Sequence, residues 1–207
     1  MLNITELLTG LAESRKVFHS EADFQHALAW HIHQTMPKSQ IRLEFPILVE
    51  NRKMYVDIWL PQEKVAIELK YATRSLELPD NEEPFALRNH GAHNHRRYDF
   101  LKDIHRLELM RSELGLCEAG HAVLLTNDRL YWDFPGRTDT TDSAFRVHEG
   151  QEIEGELDWA THTSPGTKKG REESIQLRGS YCLHWQDYSC FHEEQRGEFR
   201  YLAVSVK

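Results

Sequence analysis

The first part of the chain carries apolar residues at helical spacing. Leu7, Leu8 and Leu11 form a stripe within about residues 4–18, and Asn3 with Glu6 has the spacing of a capping box, which predicts a first helix. Ser20 as N-cap and Asp23 at the third helical position open a second, in which Phe24, Leu28 and Ile32 recur until Pro37 stops the run. Residues 41–49 and 54–60 then read as strands joined by a turn at Asn51-Arg-Lys, with Pro46 marking the first as an edge, bulged or irregular strand. Pro61-Gln-Glu-Lys64 makes the next turn and Val65–Tyr71 the third strand of a meander. Residues 73–95 lose periodicity and contain Pro79, Pro84 and Gly91, a long excursion of the kind that often covers a site.

Helical order returns near Arg97, with Phe100, Leu101, Ile104, Leu107 and Leu114 on one stripe and Gly115 as a stop. The continuous apolar run Ala122–Thr126 suits a strand covered on both faces, and Asn127-Asp128 supplies the turn after it. From Pro135 to Glu173 the chain is rich in Gly, Thr, Ser, Asp and Glu, with brief strand-like pieces such as Ala144–Val147. Tyr181–Trp185 and Phe199–Val206 read as strands that add to or cover the core sheet. There is no internal repeat.

Size and composition narrow this to an α/β chain with one domain over residues 1–207: 207 residues with 40% hydrophobic content bury one full core plus an extension. No window approaches the length of a membrane span and the N-terminal segment lacks a basic leader, so a cytoplasmic location without membrane association is expected. Cys117, Cys182 and Cys190 are odd in number and lack zinc-like pairing, as free thiols in a reducing compartment do. A formal net charge of -8 repels a polyanion unless positive charge is gathered on one face. Arg96, Arg97, Lys102, Arg106 and Arg111 fall in one helical region and Lys168, Lys169 and Arg171 in a second run, against the acidic Glu77, Asp80, Glu82 and Glu83. Each run also reads as a solvated face, so charge alone assigns no substrate.

The candidate chemistry lies in the second and third strands, which bring Asp57, Glu68 and Lys70 to one sheet end. Magnesium prefers carboxylate, carbonyl and water oxygens in octahedral array, and two carboxylates on adjacent strands supply the protein share while leaving room for water and phosphate. Lys70 shares the face of Glu68, where its ammonium can orient water or offset charge on a phosphorane. Charges inside an apolar strand are costly unless paired or metal-bound. The structural alternative is an ion pair of Lys70 with Glu68 or Asp57 on a half-exposed sheet.

Glu21, in the first turn of the second helix, can point at such a metal from the side, although helix dipoles favour acidic residues there anyway. Gln25 reaches the site or is a surface amide. His90, His93 and His95, with Asp99, raise a zinc site that polar loop histidines explain as well. Asp99, Asp103 and Arg106 have the spacing of surface ion pairs on a helix.

The succession of helix, three strands, helix and strand, carrying a Glu, an Asp and a Glu-x-Lys, resembles the PD-(D/E)XK nuclease superfamily over about residues 20–133. The resemblance implies a restriction-endonuclease-like core, a central mixed β-sheet flanked by helices, followed here by a β-rich extension over about residues 134–207. It implies a Mg-dependent endonuclease, with Mn also admissible, whose metal is held by Asp57, Glu68, the Leu69 carbonyl and Glu21, and in which Lys70 assists the attacking water. Val56 stands where the superfamily name places proline, a departure many members share. The implied partner is nucleic acid, DNA before RNA, and such subunits frequently form homodimers. Leu125–Asp128 with Tyr131-Trp132, and Tyr181, Trp185 and Tyr188, also look like parts of small bacterial nuclease-fold proteins, although core packing explains the rings equally. The alternative is a non-catalytic nucleic-acid-binding or protein-interaction module on the same fold.

Overall fold

A computed structural model of the chain describes residues 2–49, 52–79 and 83–207. Asn3 accepts the Thr5 and Glu6 amides and opens α1 (Ile4–Ser14); Ser20 accepts the Asp23 amide and opens α2 (Glu21–Thr35). The first helix stops before the expected residue 18. The Ser14 hydroxyl donates to the Leu11 carbonyl at 3.1 Å, a local bond that competes with helix continuation, and the chain then turns to bury Val17 and Phe18.

The meander follows as β1 (Arg42–Val49), β2 (Arg52–Leu60) and β3 (Val65–Ala72), and the excursion after it holds two short strands, β4 (Leu76–Leu78) and β5 (Phe85–Leu87). Next come α3 (His93–Ser112), β6 (Ala119–Thr126) and a 3₁₀ turn at Ser143–Phe145, then β7 (Glu152–Leu157), β8 (Ile175–Cys182), β9 (Trp185–Cys190) and β10 (Glu198–Val206). Part of the predicted first turn, Asn51, lies outside the described residues, as do Asp80 and Glu82 of the acidic stretch.

The architecture is mixed α/β. A six-stranded sheet runs β1-β2-β3-β6-β10-β9, with β3 and β6 parallel and the other neighbours antiparallel. Pro46, which has no N–H to give a ladder, sits on the edge strand β1, as its chemistry requires. The C-terminal strands do two things. β9 and β10 extend the sheet beyond β6, while β7 and β8 form a separate two-stranded ribbon. Two expectations from the sequence are corrected here. Tyr181–Trp185 is not one strand but the end of β8 and the start of β9, and Ala144–Val147 is not a strand because a 3₁₀ turn buries Phe145 there.

Each face of the sheet has its own core. Ile67, Leu69 and Tyr71 of β3 pack with α1, α2 and the β4–β5 hairpin, whereas Ala66 and Ala72 face α3 and the β7–β8 ribbon. The α3 face is built from small residues so that the helix lies close. A Cβ added to Gly120 would stand 2.9 Å from Leu107 Cβ and Cδ2. Gly120→Ala is therefore expected to destabilise the fold by about 1–3 kcal/mol through overpacking, read as a lowered urea midpoint; an unchanged midpoint would show that α3 is not tightly seated.

On the other face His121 is 2% exposed and its Nδ1 lies 2.9 Å from Ser205 Oγ. Burial, helped by Lys207, pushes its pKa down from 6.5 to about 4. Between those values the unfolded chain binds the proton and the folded chain does not, so stability falls as pH drops from about 6.5 to about 4. The loss attributable to this group is on the order of 3 kcal/mol. Denaturant titrations across that range should show a shallower pH slope for His121→Asn than for the wild type, and equal slopes would contradict the assignment.

Candidate active site

β2 and β3 pair at Leu60–Val65, Trp59–Ala66 and Ile58–Ile67, and there the ladder stops. Asp57 and Glu68 are the next residues on each side, at the mouth of the gap the strands leave as they part. Alternate residues of a strand turn their backbone groups to the same edge, so β3 has N–H groups to satisfy beyond Ile67. Two carboxylates take them. Leu69 N–H donates to Asp57 Oδ2 at 2.6 Å, and Tyr71 N–H donates to Glu21 Oε2 at 2.8 Å. The Asp57 carbonyl accepts from Gln25 Nε2 at 2.7 Å, and the same amide donates to Glu44 Oε1 at 2.8 Å. Gln25 is 7% exposed, which settles it as an internal brace of the site and not a surface amide. Glu44 itself has a φ of 49°, a left-handed kink in β1 opposite the same gap.

Asp57, Glu68 and Lys70 line one open cleft of about 300 Å³ together with Asp99, Lys102, Asp103 and Arg106 of α3. From the sequence, Asp99, Asp103 and Arg106 were expected in surface ion pairs. For Asp103 and Arg106 that is corrected: Arg106 Nη2 does lie 2.7 Å from Asp103 Oδ1, but both side chains are largely buried against β3. Lys70 Nζ lies 2.6 Å from Asp103 Oδ2, and Arg106 Nη2 lies 2.7 Å from Glu68 Oε1. Asp99 instead accepts from Nε and Nη2 of Arg171, at 2.7 and 2.6 Å. The small α3 face of β3 explains the arrangement, since Ala66 and Ala72 let the helix approach while Glu68 and Lys70 run beneath it.

Asp99 and Lys102 of the lining pair outward with Arg171 and Glu173, which leaves three carboxylates, Asp57, Glu68 and Asp103, clustered with two cations, Lys70 and Arg106. Burial, then the charges of Asp103 and Glu21, push Asp57 up to about 6, against the Leu69 N–H and Lys70, which pull it down. Burial and Asp103 likewise hold Glu68 well above the ordinary carboxylate range despite Arg106. For Lys70 burial favours the neutral amine, but Asp103 and the other carboxylates outweigh it and keep the group above the usual lysine range. Lys70 is therefore held as a cation here, with its ammonium on Asp103 and the Leu69 carbonyl.

Among the described residues no group of three or more His, Cys, Asp or Glu side chains stands ready to hold a metal. A hard cation at the gap would draw on Asp57, Glu68 and the Leu69 carbonyl, oxygen donors of the type magnesium and manganese take with water. Two observations fit such an ion. The cluster carries one carboxylate more than its cations balance, and Glu68 Oε1 and Asp103 Oδ2 are buried without a well-directed hydrogen bond even though cationic nitrogens lie close. The Leu69 carbonyl accepts from Lys70 Nζ at 3.2 Å. Glu21 does not line the cleft; its carboxylate acts through the Tyr71 backbone.

The remaining sequence candidates go elsewhere. His90 Nδ1 accepts from Thr73 N–H at 3.0 Å, His93 Nε2 lies 2.6 Å from Asp128 Oδ2, and His95 Nε2 lies 2.5 Å from the Thr167 carbonyl, so the three rings serve separate contacts. The basic run of α3 is not one free face, because Arg97 is buried against Asp142 at 2.7 Å and Arg106 belongs to the cleft. Tyr131, Trp132, Trp185 and Tyr188 are buried, and Trp185 Nε1 donates to the Val147 carbonyl at 2.7 Å. The three cysteines are free thiols, and no helix is long and apolar enough to cross a membrane among the described residues.

Because the raised Asp57 carboxyl is ionised in the folded chain at neutral pH only at a cost, Asp57→Asn is expected to stabilise the metal-free protein by about 1–3 kcal/mol at pH 7. The amide oxygen can still accept the Leu69 N–H. Melting in chelator checks this, and a lower melting temperature for the variant would show that the charge supports the fold.

Compared with protein-family models, curated proteins and solved structures, the chain matches none.

Proposed function

We propose that this protein is a Mg-dependent nuclease with a restriction-endonuclease-like core, acting on DNA in the cytoplasm. The observation that carries the reading is the convergence of Asp57, Glu68 and Lys70 at the point where β2 and β3 separate, within an open cleft and with the Leu69 backbone pinned beside them. Asp57, Glu68 and the Leu69 carbonyl would hold the ion. When bound, a divalent cation polarises the scissile phosphate and lowers the pKa of a coordinated water. The chain's own residues do the rest. Lys70 stays protonated and places its charge beside the reacting phosphate, Asp103 holds that ammonium in position, and Gln25 and Glu21 fix the backbone of β2 and β3 so that the donors keep their spacing.

A second reading has its own observation. Lys70 with Asp103 and Arg106 with Glu68 already neutralise much of the cluster, as an ion-paired scaffold that binds nucleic acid without cutting it would. Incubation of the purified chain with supercoiled plasmid, linear duplex, single-stranded DNA and RNA, in magnesium and in chelator, separates the two. The nuclease reading expects magnesium-dependent product from at least one DNA substrate. Retention of nucleic acid with a salt-dependent affinity and no product selects the scaffold, and neither binding nor product rejects both.

A further inference from the structure

A second cavity, of about 390 Å³, opens where β3 and β6 end, and three guanidinium groups line it: Arg74, Arg129 and Arg196. The two strands are parallel and in register up to Ala72 and Thr126, so the segments that follow them leave the sheet side by side. Asn127 ties those segments together. Its Oδ1 accepts the Arg74 N–H at 2.7 Å, and its Nδ2 donates to the carbonyls of Arg74 at 3.3 Å and Arg196 at 3.0 Å. One buried side chain thereby sets the backbone positions of two of the arginines before any ligand arrives.

The two acids of the lining are already engaged. Asp128 is buried and its carboxylate meets His93 Nε2 at 2.6 Å and the Leu130 N–H at 3.1 Å, while Arg74 Nε stands 3.8 Å away. Glu198 faces Arg200 Nε at 2.8 Å. The partners of Arg129 and Arg196 are exposed side chains. Arg129 has an exposed partner, Asp133, at 3.4 Å, and Arg196 donates to the Ser75 hydroxyl at 2.7 Å. Three arginines around one polar cavity suit a phosphate, whose paired oxygens a planar guanidinium fork can meet in bidentate fashion where a lysine offers only a point charge.

Arg74 follows Lys70 by four residues, so at most about 13 Å of extended chain separates their backbones, equal to the rise of about four base pairs along a duplex axis. We propose that Arg74, Arg129 and Arg196 form an anion subsite that receives a backbone phosphate of the DNA flanking the phosphate at the carboxylate cleft. This inference rests on the nuclease reading above.

Fluorescence anisotropy of a labelled DNA duplex, recorded in chelator over a range of salt, tests it without turnover. The combined variant Arg74→Gln, Arg129→Gln, Arg196→Gln is expected to bind at least about tenfold more weakly, with the slope of log K against log salt reduced by about 0.9 for each phosphate no longer neutralised. Arg42→Gln on the far edge strand should bind as the wild type does. If the combined variant fails to fold, Arg129→Gln and Arg196→Gln singly, both at exposed positions, carry the same test with smaller shifts. Unchanged affinity and slope in the variants, alongside wild-type DNA binding and cleavage, overturn the subsite and leave the nuclease reading standing. Loss of inorganic phosphate binding in the variants with no change in DNA affinity makes the cavity a small-anion site and overturns the proposal as well. Absence of both DNA binding and cleavage in the wild type overturns the two together.

Discussion

Replacing Lys70 with methionine is expected to slow DNA cleavage by about 10²–10⁴-fold, the range lost when a positioned proton-transfer or charge-stabilising group is removed. Methionine keeps much of the apolar stem but removes the charge that Asp103 holds at the cleft against the effect of burial. The ion pair with Asp103 complicates a simple truncation. Lys70→Ala would leave a carboxylate of 8% side-chain exposure without its 2.6 Å partner, and breaking a buried pair from one side costs about 3–5 kcal/mol. A loss of activity could then be a loss of fold. Combining Lys70→Met with Asp103→Asn removes the stranded charge, so single-turnover rates on that double variant, with melting curves beside them, separate chemistry from stability. Equal cleavage by wild type and double variant would sink the role given to Lys70.

Arg106→Met gives the second large effect, on stability. Arg106 is the cation next to Glu68, whose carboxylate is 2% exposed, and it also braces Asp103. Its removal leaves Asp57, Glu68 and Asp103 facing Lys70 alone, and a cost of about 3–5 kcal/mol is expected in chelator. Proton uptake by Glu68, already held toward its neutral form by burial and Asp103, brings the cost toward the lower end. If Arg106 supplies charge that a divalent ion can replace, magnesium or manganese should raise the melting temperature of Arg106→Met more than that of the wild type. An equal shift in both proteins would make Arg106 a structural brace with no bearing on metal binding.

The division between what the sequence revealed and what it concealed follows from the range of the interactions. Asp57 and Glu68 stood out because each interrupts an apolar strand, and the short turn at residues 61–64 forces the two strands together. For Glu21 and Gln25 the capped helix, with its apolar stripe facing the sheet, gave a position near the site but left their roles open. Asp103 was misread for a physical reason: it lies on the same side of α3 as Phe100, Ile104 and Leu107, all of which are fully buried, and a charged residue on a buried stripe signals an internal partner. That partner, Lys70, comes from another element, and only the crossing of α3 over β3 brings the two together. The start of α3 left no signal, because Ala92 precedes it with a φ of 56° and no side-chain cap. β4 and β5, three residues each, are too short to show a period.

The C-terminal extension was harder to read for a different reason. β7 carries Glu152, Glu154 and Glu156 on a strand whose partner is exposed at alternate positions, so its pattern is mostly polar. The ribbon is joined to α3 through β8, where Glu108 accepts the backbone N–H of Arg178 at 3.0 Å and of Gly179 at 2.7 Å, together with the Tyr181 hydroxyl at 2.8 Å. A buried carboxylate that accepts the backbone N–H groups of a strand is the device Asp57 also uses on Leu69, there from the neighbouring strand.

The most direct test of the central claim is manganese soaked into crystals of the wild-type protein, located by its anomalous signal. The nuclease reading predicts a peak in the gap between β2 and β3, bounded by the carboxylates of Asp57 and Glu68 and the Leu69 carbonyl, and its loss in Asp57→Asn. A gap without a peak at saturating manganese, with Arg106 still seated on Glu68, would contradict it.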